Sequence, residues 1–275
     1  MKHLIDEAKL LIFDLDGTLY EDTDHFNYYC RLMQQRVADD KKQAFWDTYE
    51  SMKKGNHPVA IGKVYDIQND VSVTVDPMTL QVTKVMTFDG EEWPSEKVKK
   101  EYPRELVYDF ERLIAIGDGW WLPYATAMHF GLKQSDTWEC YNATKEYMVT
   151  DQFNLTKTPG LKDALIRLKE EKKLVLLTNS EREDVQRLLN ELELDGIFHA
   201  LYSEGQKPLK TKEKIQAILD ECGVQPQEAV SIGDNFINEI APALLMGLKA
   251  VYIQPNRIEV EHENLIVIPT LTNAL

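Results

Sequence analysis

The chain has 275 residues, 43% hydrophobic and 28% charged, with a formal net charge of -15. That length accommodates one or two domains with a sizeable core. The acidity, with no long Lys/Arg run to offset it, argues against a nucleic acid or an anionic membrane surface as partner. Cys30, Cys140 and Cys222 lie far apart, without metal-ligand spacing, and fit reduced thiols. Asp6 and Glu7 break the opening apolar run, so no secretory signal is expected. No uncharged apolar stretch of about 18 residues predicts a membrane span. A cytoplasmic location is the expectation, and the sequons at Asn142 and Asn154 are read as chance.

Leu10 to Phe13 is a continuous apolar run, the pattern of a strand buried on both faces. It ends in Asp14 and Asp16, and Gly17-Thr18 predicts a sharp turn. Residues 23–54 and 95–150 read mainly as helix, and all five tryptophans fall in this middle stretch. Between the helical blocks, residues 63–88 alternate on a period of two, with a turn signal at Asp76-Pro77. The spacing predicts a small antiparallel insert, a β-hairpin, inside a mainly helical second domain over 20–157. Domain one is then discontinuous, 1–19 and 158–275. The insert fits a homodimerisation arm, a substrate gate or an ornament equally well. Gly117-Asp118-Gly119 reads as a turn between helices, Trp120 and Trp121 as core, and His25 and His129 as structural.

From Pro159 strand and helix alternate. Helices are expected at 160–172, 182–193, 211–222 and 236–246. Strands are expected at 174–177, 198–202, 229–232, 250–253 and 265–268. This is the signature of an α/β fold, a parallel sheet with helices on both faces. In such sheets ligands bind outside the carboxyl ends of the strands.

Those ends carry the chemistry-bearing residues. Asp14 and Asp16 follow the first strand, Thr178-Asn179-Ser180 the second, Lys207-Pro208 a later one, and Gly233-Asp234-Asn235 another, with Glu239 five residues past Asp234. A phosphomonoester dianion repels a carboxylate nucleophile, and a hard divalent cation held by carboxylates removes that repulsion. Asp14 and Asp234, with Asp16 beside them, are the expected ligand set for magnesium. A free Asp14 oxygen can attack phosphorus and form an aspartyl-phosphate. Asp16 can protonate the leaving oxygen and later deprotonate water. Thr178 and Asn179 can hold phosphoryl oxygens, and Lys207 can stabilise charge on the phosphoryl group and on Asp14. Thr18, Asn235 and Glu239 are expected one layer out, orienting these groups or touching metal-bound water. Each segment also has a plainer reading: Thr178-Asn179-Ser180 as a helix cap, Lys207 as a surface lysine, Gly233-Asp234-Asn235 as a turn.

Asp14-Leu15-Asp16-Gly17-Thr18, Thr178-Asn179, Lys207 and Gly233-Asp234 with Glu239, in this order, resemble the four motifs of the haloacid dehalogenase-like (HAD) hydrolase superfamily. The matching parts cover roughly 8–19 and 158–255. The resemblance implies a Rossmann-like core, a magnesium cofactor, and a helical cap inserted after the first motif. The size of the middle segment and its β insert depart from the usual cap. Family dehalogenases generally lack an acid/base Asp at the position of Asp16, so the resemblance points to a phosphatase acting on a small phosphorylated metabolite. A sugar-phosphate mutase using the same nucleophile, and a non-catalytic phosphometabolite-binding protein, are the alternatives.

Overall fold

Leu10–Phe13 (β1) is almost completely buried, which four consecutive apolar residues can tolerate only at the centre of a sheet covered on both faces. The computed structural model describes residues 2–76, 78–109, 111–150, 152–153, 155–254, 261–272 and 274–275. Pro77 of the expected turn and Asn154 of the second sequon lie outside them. The chain divides into two compact units, Met1–Asp22 with Leu155–Leu275, and Thr23–Asn154. Among the described residues no helix is long and apolar enough to cross a membrane.

The first unit opens with a short helix, Lys2–Asp6 (α1), that the sequence pattern did not announce, and then β1. The second unit follows with α2 (Asp24–Gln34), α3 (Lys42–Lys53), β2 (Lys63–Asp66), β3 (Val71–Val75), β4 (Val82–Thr87), α4 (Ser95–Glu101), β5 (Leu113–Ile116), α5 (Trp121–His129) and α6 (Gln134–Tyr147). The first unit resumes with α7 (Leu161–Glu171), β6 (Lys173–Leu177), α8 (Arg182–Glu191), β7 (Ala200–Tyr202), α9 (Thr211–Cys222), β8 (Ala229–Gly233), α10 (Ala241–Leu245), β9 (Lys249–Ile253) and β10 (Leu265–Ile268).

The first unit's strands form one parallel sheet in the order β10-β9-β8-β1-β6-β7. Successive strand residues go to opposite faces. Leu11, Phe13, Leu174 and Leu176 pack with Leu161 and Leu165 of α7 and Val185 and Leu188 of α8. Leu10, Ile12, Val175 and Leu177 pack with Ile215, Ile218 and Leu219 of α9. The α/β, Rossmann-like reading therefore holds. The chain steps outward from β1 through β6 to β7, then returns to β8 on the other flank of β1. That reversal creates a crevice at the carboxyl end of β1.

Several local expectations are corrected. The stretch 236–246 is not one helix: a π-helical turn, Phe236–Ile240, precedes α10. In the second unit, β2, β3 and β4 are three antiparallel strands rather than a hairpin, and β5 adds a fourth, in the order β4-β3-β2-β5. The stretch 95–150 is thus not helical throughout. Leu113-Ile114-Ala115-Ile116 is short and uniformly apolar, so periodicity alone cannot tell it from a helix segment. Gly117-Asp118-Gly119 consequently links a strand to a helix, and a Cβ at Gly119 would run into the Phe26 ring. Trp120 packs among His25, Phe26, Tyr29 and Tyr141, so the core reading describes its place within this unit. His129 pairs with Asp70 at 2.8 Å and stacks on Phe88.

The β2–β5 edge is fastened by Asp66, which is fully buried. Its carboxylate accepts from Arg112 Nη2 (2.7 Å), Tyr102 Oη (2.7 Å) and the Asn69 N–H (3.1 Å). Burial raises the Asp66 pKa, but the hydrogen bonds from Arg112, Tyr102 and Asn69 outweigh it and leave the carboxyl below its ordinary value. A depressed carboxylate contributes stability above its unfolded pKa and loses it as pH falls through the folded value. Acid unfolding of this unit should therefore set in below about pH 4. Asp66→Asn should flatten that acid limb and cost about 2 kcal/mol at neutral pH. Tryptophan fluorescence reads the transition selectively, because Trp46, Trp93, Trp120, Trp121 and Trp138 all lie in this unit.

Candidate active site

Asp14 extends the β1 ladder by one bond, its N–H donating to the Ile232 carbonyl at 2.9 Å. The backbone then turns: the N–H groups of Thr18 and Leu19 both return to the Leu15 carbonyl, at 3.3 and 2.9 Å. Gly17 takes φ of 75°, a left-handed conformation that strains other residues. A Cβ at Gly17 would also overlap the Asp234 carboxylate. The glycine lets the end of β8 close onto the turn after β1.

Lys207 joins the loops. It is 2% exposed, and its Nζ donates to Asp14 Oδ1 at 2.6 Å and to Glu239 Oε1 at 2.5 Å. Burial opposes its charge, but Asp14 and Glu239 outweigh that penalty and hold its pKa above the usual lysine range. Burial, joined by the charge of Asp16, pushes the Asp14 carboxyl up against the pull of Lys207. The surface-lysine reading of Lys207 is excluded.

The loop after β7 delivers this lysine. Glu204 donates its N–H to the Ser180 carbonyl at 3.0 Å, and Gly205 to the Thr178 carbonyl at 2.9 Å. Asn179 completes the brace: its Oδ1 accepts from the Lys207 N–H at 2.7 Å and its Nδ2 donates to the Lys207 carbonyl at 3.0 Å. The Asn179 side-chain amide is thus engaged with the Lys207 backbone. The capping reading of this segment also fails, because Glu181 occupies the N-cap of α8 and makes no side-chain cap bond. Thr178 Oγ1 accepts from the Ser180 N–H at 3.1 Å.

Glu239 reaches the cluster from the π-helical turn. Its Oε2 accepts from the Asn235 N–H at 3.0 Å, and Asn235 Oδ1 accepts from the Asn238 N–H at 3.0 Å. Gly233 leaves room for this, since a Cβ there would lie 2.9 Å from the Glu239 side chain. Glu239 is thus engaged with Lys207 and Asn235, which suits an orienting role.

Carboxylate oxygens of Asp14, Asp234 and Glu239 lie within 4.8 Å of one another, and among the described residues no other His/Cys/Asp/Glu group is so gathered. The Asp16 side chain is not one of this trio, and both of its oxygens are engaged by hydroxyl groups. Its Oδ1 accepts from the Tyr20 hydroxyl, and its Oδ2 from Ser180 Oγ at 2.7 Å. The sequence pattern assigns neither Tyr20 nor Ser180 a contact with Asp16. The available signal was a tyrosine placed one turn beyond Asp16 and a hydroxyl after Thr178-Asn179. The Thr18 hydroxyl and Asn235 Nδ2 are buried without a hydrogen-bond partner. The three carboxylates gather beside the Lys207 ammonium, which bonds Asp14 and Glu239. This all-oxygen set of carboxylates fits a hard divalent cation.

The chain is 30% identical over 116 residues to N-acylneuraminate-9-phosphatase of Rattus norvegicus, covering 41% of this chain and 45% of that protein. It is 30% identical over 158 residues to glyceraldehyde 3-phosphate phosphatase of Pyrococcus furiosus, covering 56% and 60%. The chain spans about half the length of the curated relatives it matches. Among solved structures, the HAD-hydrolase YfnB of Bacillus subtilis, bound to magnesium, matches with 13% identity over 97% of this chain and 96% of that one, at a TM-score of 0.54. A haloacid dehalogenase-like family hydrolase from Xanthomonas campestris matches with 12% identity over 96% and 87%, at 0.50. These two share the fold. The sequence model of the haloacid dehalogenase-like hydrolases matches residues 8–247, and the chain belongs to that family.

Proposed function

We propose that this protein is a magnesium-dependent phosphatase of a small phosphomonoester, acting through an aspartyl-phosphate on Asp14. The observation that carries the reading is the set of buried Asp14, Lys207 and Glu239 with half-buried Asp234, gathered at the mouth of the sheet crevice. Two relatives named as phosphatases support the same chemistry.

Asp14 and Asp234 would hold the magnesium ion, which when bound neutralises carboxylate and phosphate charge so that an anion can approach an anion. Asp14 supplies the attacking oxygen. The bond from that oxygen to phosphorus forms as the bond to the leaving oxygen breaks, and the electron pair departs with the leaving group. Lys207 holds Asp14 by Oδ1 and places a fixed positive charge beside the phosphoryl group. Thr178 and Thr18 offer hydroxyls at the ends of β6 and β1 for phosphoryl oxygens. Asp16 gives its proton to the leaving oxygen, then takes one from the water that cleaves the aspartyl-phosphate. The second unit is proposed to serve as the cap that selects the substrate.

Asp14→Asn should lower turnover of an aryl phosphate by about 1,000-fold or more while leaving the thermal transition in place. Full activity in that variant removes Asp14 as nucleophile. Chelation should abolish wild-type turnover, and magnesium should restore it and raise the melting temperature in a concentration-dependent way.

Lys207→Met tests the charge balance itself. Removing the ammonium leaves buried carboxylates uncompensated, so the metal-free variant should lose about 3 kcal/mol in denaturant unfolding. Magnesium should recover part of that loss. An unchanged midpoint in both conditions contradicts the proposed balance.

A further inference from the structure

Asp16 is held at both oxygens by hydroxyl groups. Tyr20 reaches Oδ1 from one turn downstream, where the Gly17 bend brings residues 16 and 20 together as a parallel bridge. Ser180 reaches Oδ2 at 2.7 Å from the end of the neighbouring strand, four residues past Leu176, which pairs in register with Phe13. Neither hydroxyl is a surface group: Tyr20 is fully buried among the core residues under β1, and Ser180 is 6% exposed. Ser180 is itself located by its N–H bond to Thr178 and by the Glu204 N–H on its carbonyl. Leu19, beside Tyr20, is tied down by Thr158 Oγ1, which donates to its carbonyl at 3.0 Å.

We propose that Tyr20 and Ser180 are positioning residues that fix the Asp16 carboxyl group for proton delivery to the leaving oxygen. This rests on the acid–base role of Asp16 put forward above. A general acid must present its proton along the breaking bond, and a carboxyl free to rotate about its last side-chain torsion does so only part of the time. Two anchors, one on each oxygen, stop that rotation. Hydroxyls suit the task because each can donate or accept by turning its hydrogen. The clamp therefore persists when Asp16 carries the proton and after the proton has left with the departing oxygen. A purely structural role for Tyr20, filling the core with its ring, needs no hydroxyl and would be met by phenylalanine.

Leaving-group dependence tests the proposal. 4-Nitrophenolate departs readily without a proton, whereas phenolate depends on one, and kcat/KM reports the steps through departure of the leaving group. Tyr20→Phe and Ser180→Ala should each lower kcat/KM for phenyl phosphate by about 10-fold while lowering that for 4-nitrophenyl phosphate by less than about 2-fold. Ser180→Thr, which keeps the hydroxyl, should recover most of the loss. Asp16→Asn is the control and should show the largest separation between the two substrates. Equal losses on both substrates, or none on either, in Tyr20→Phe and Ser180→Ala would overturn the positioning role if Asp16→Asn does separate them. If Asp16→Asn fails to separate them, the acid–base reading of Asp16 falls, and the proposal with it.

Discussion

A lysine ammonium buried against two carboxylates is the constraint around which the first unit is arranged. Removing such a charge from water is tolerable only when its partners sit within hydrogen-bond distance in fixed positions. Lys207 meets that condition with Asp14 and Glu239. The three come from segments 14, 207 and 239, far apart in sequence, so the cluster forms only once the sheet order has been set. β1 must lie between β6 and β8 for the ends of all three strands to converge. The fold and the charge cluster therefore depend on each other. The apolar strands fix the frame, and the ion pairs fix the loops that the frame leaves irregular.

Close approach of the loops requires residues that take up little room. Gly17 admits the Asp234 carboxylate, Gly233 admits Glu239, and Gly205 lies against the Thr178 carbonyl. Each of these glycines stands next to, or within two positions of, a charged or hydroxyl-bearing site residue. The amide of Asn179 then does for Lys207 what a sheet ladder does for a strand, bonding its backbone on both sides. Position is thus set by backbone contacts, and the side-chain tips are left to do chemistry.

What could be read from the sequence divides along the same line. The alternation from Pro159 onward, and the acidic, hydroxyl and basic residues at the strand ends, are local patterns, and local patterns survive without coordinates. Asp14, Lys207, Asp234 and Glu239 were legible for that reason. The direction of a side chain is not local. That Asn179 turns to the Lys207 backbone, and that Asp16 is held by Tyr20 and Ser180, depends on which strand lies beside which. The Leu113–Ile116 strand was hidden for a related reason. Four apolar residues carry no period of their own, and only pairing with β2 decides their conformation. The π-helical turn at Phe236–Ile240 likewise follows from the need to bring Glu239 back to Lys207, which no propensity encodes.

The two units also show how a charged cluster built for stability differs from one left open for chemistry. Asp66 in the second unit is surrounded by donors: Arg112, Tyr102, Asn69 and the Gln68 N–H satisfy both of its oxygens, and its charge is matched by Arg112. Nothing in that network calls for a further ion. In the first unit one ammonium faces three carboxylates, and Asn235 Nδ2 and the Thr18 hydroxyl are buried without partners. The carboxylate set fits a cation, and the unpartnered Asn235 and Thr18 donors fit an anion's oxygens. A site that fits both at once is suited to a phosphate group carried with its metal. Under the proposed mechanism Asp16, held by Tyr20 and Ser180, would supply the acid that such a group needs on leaving.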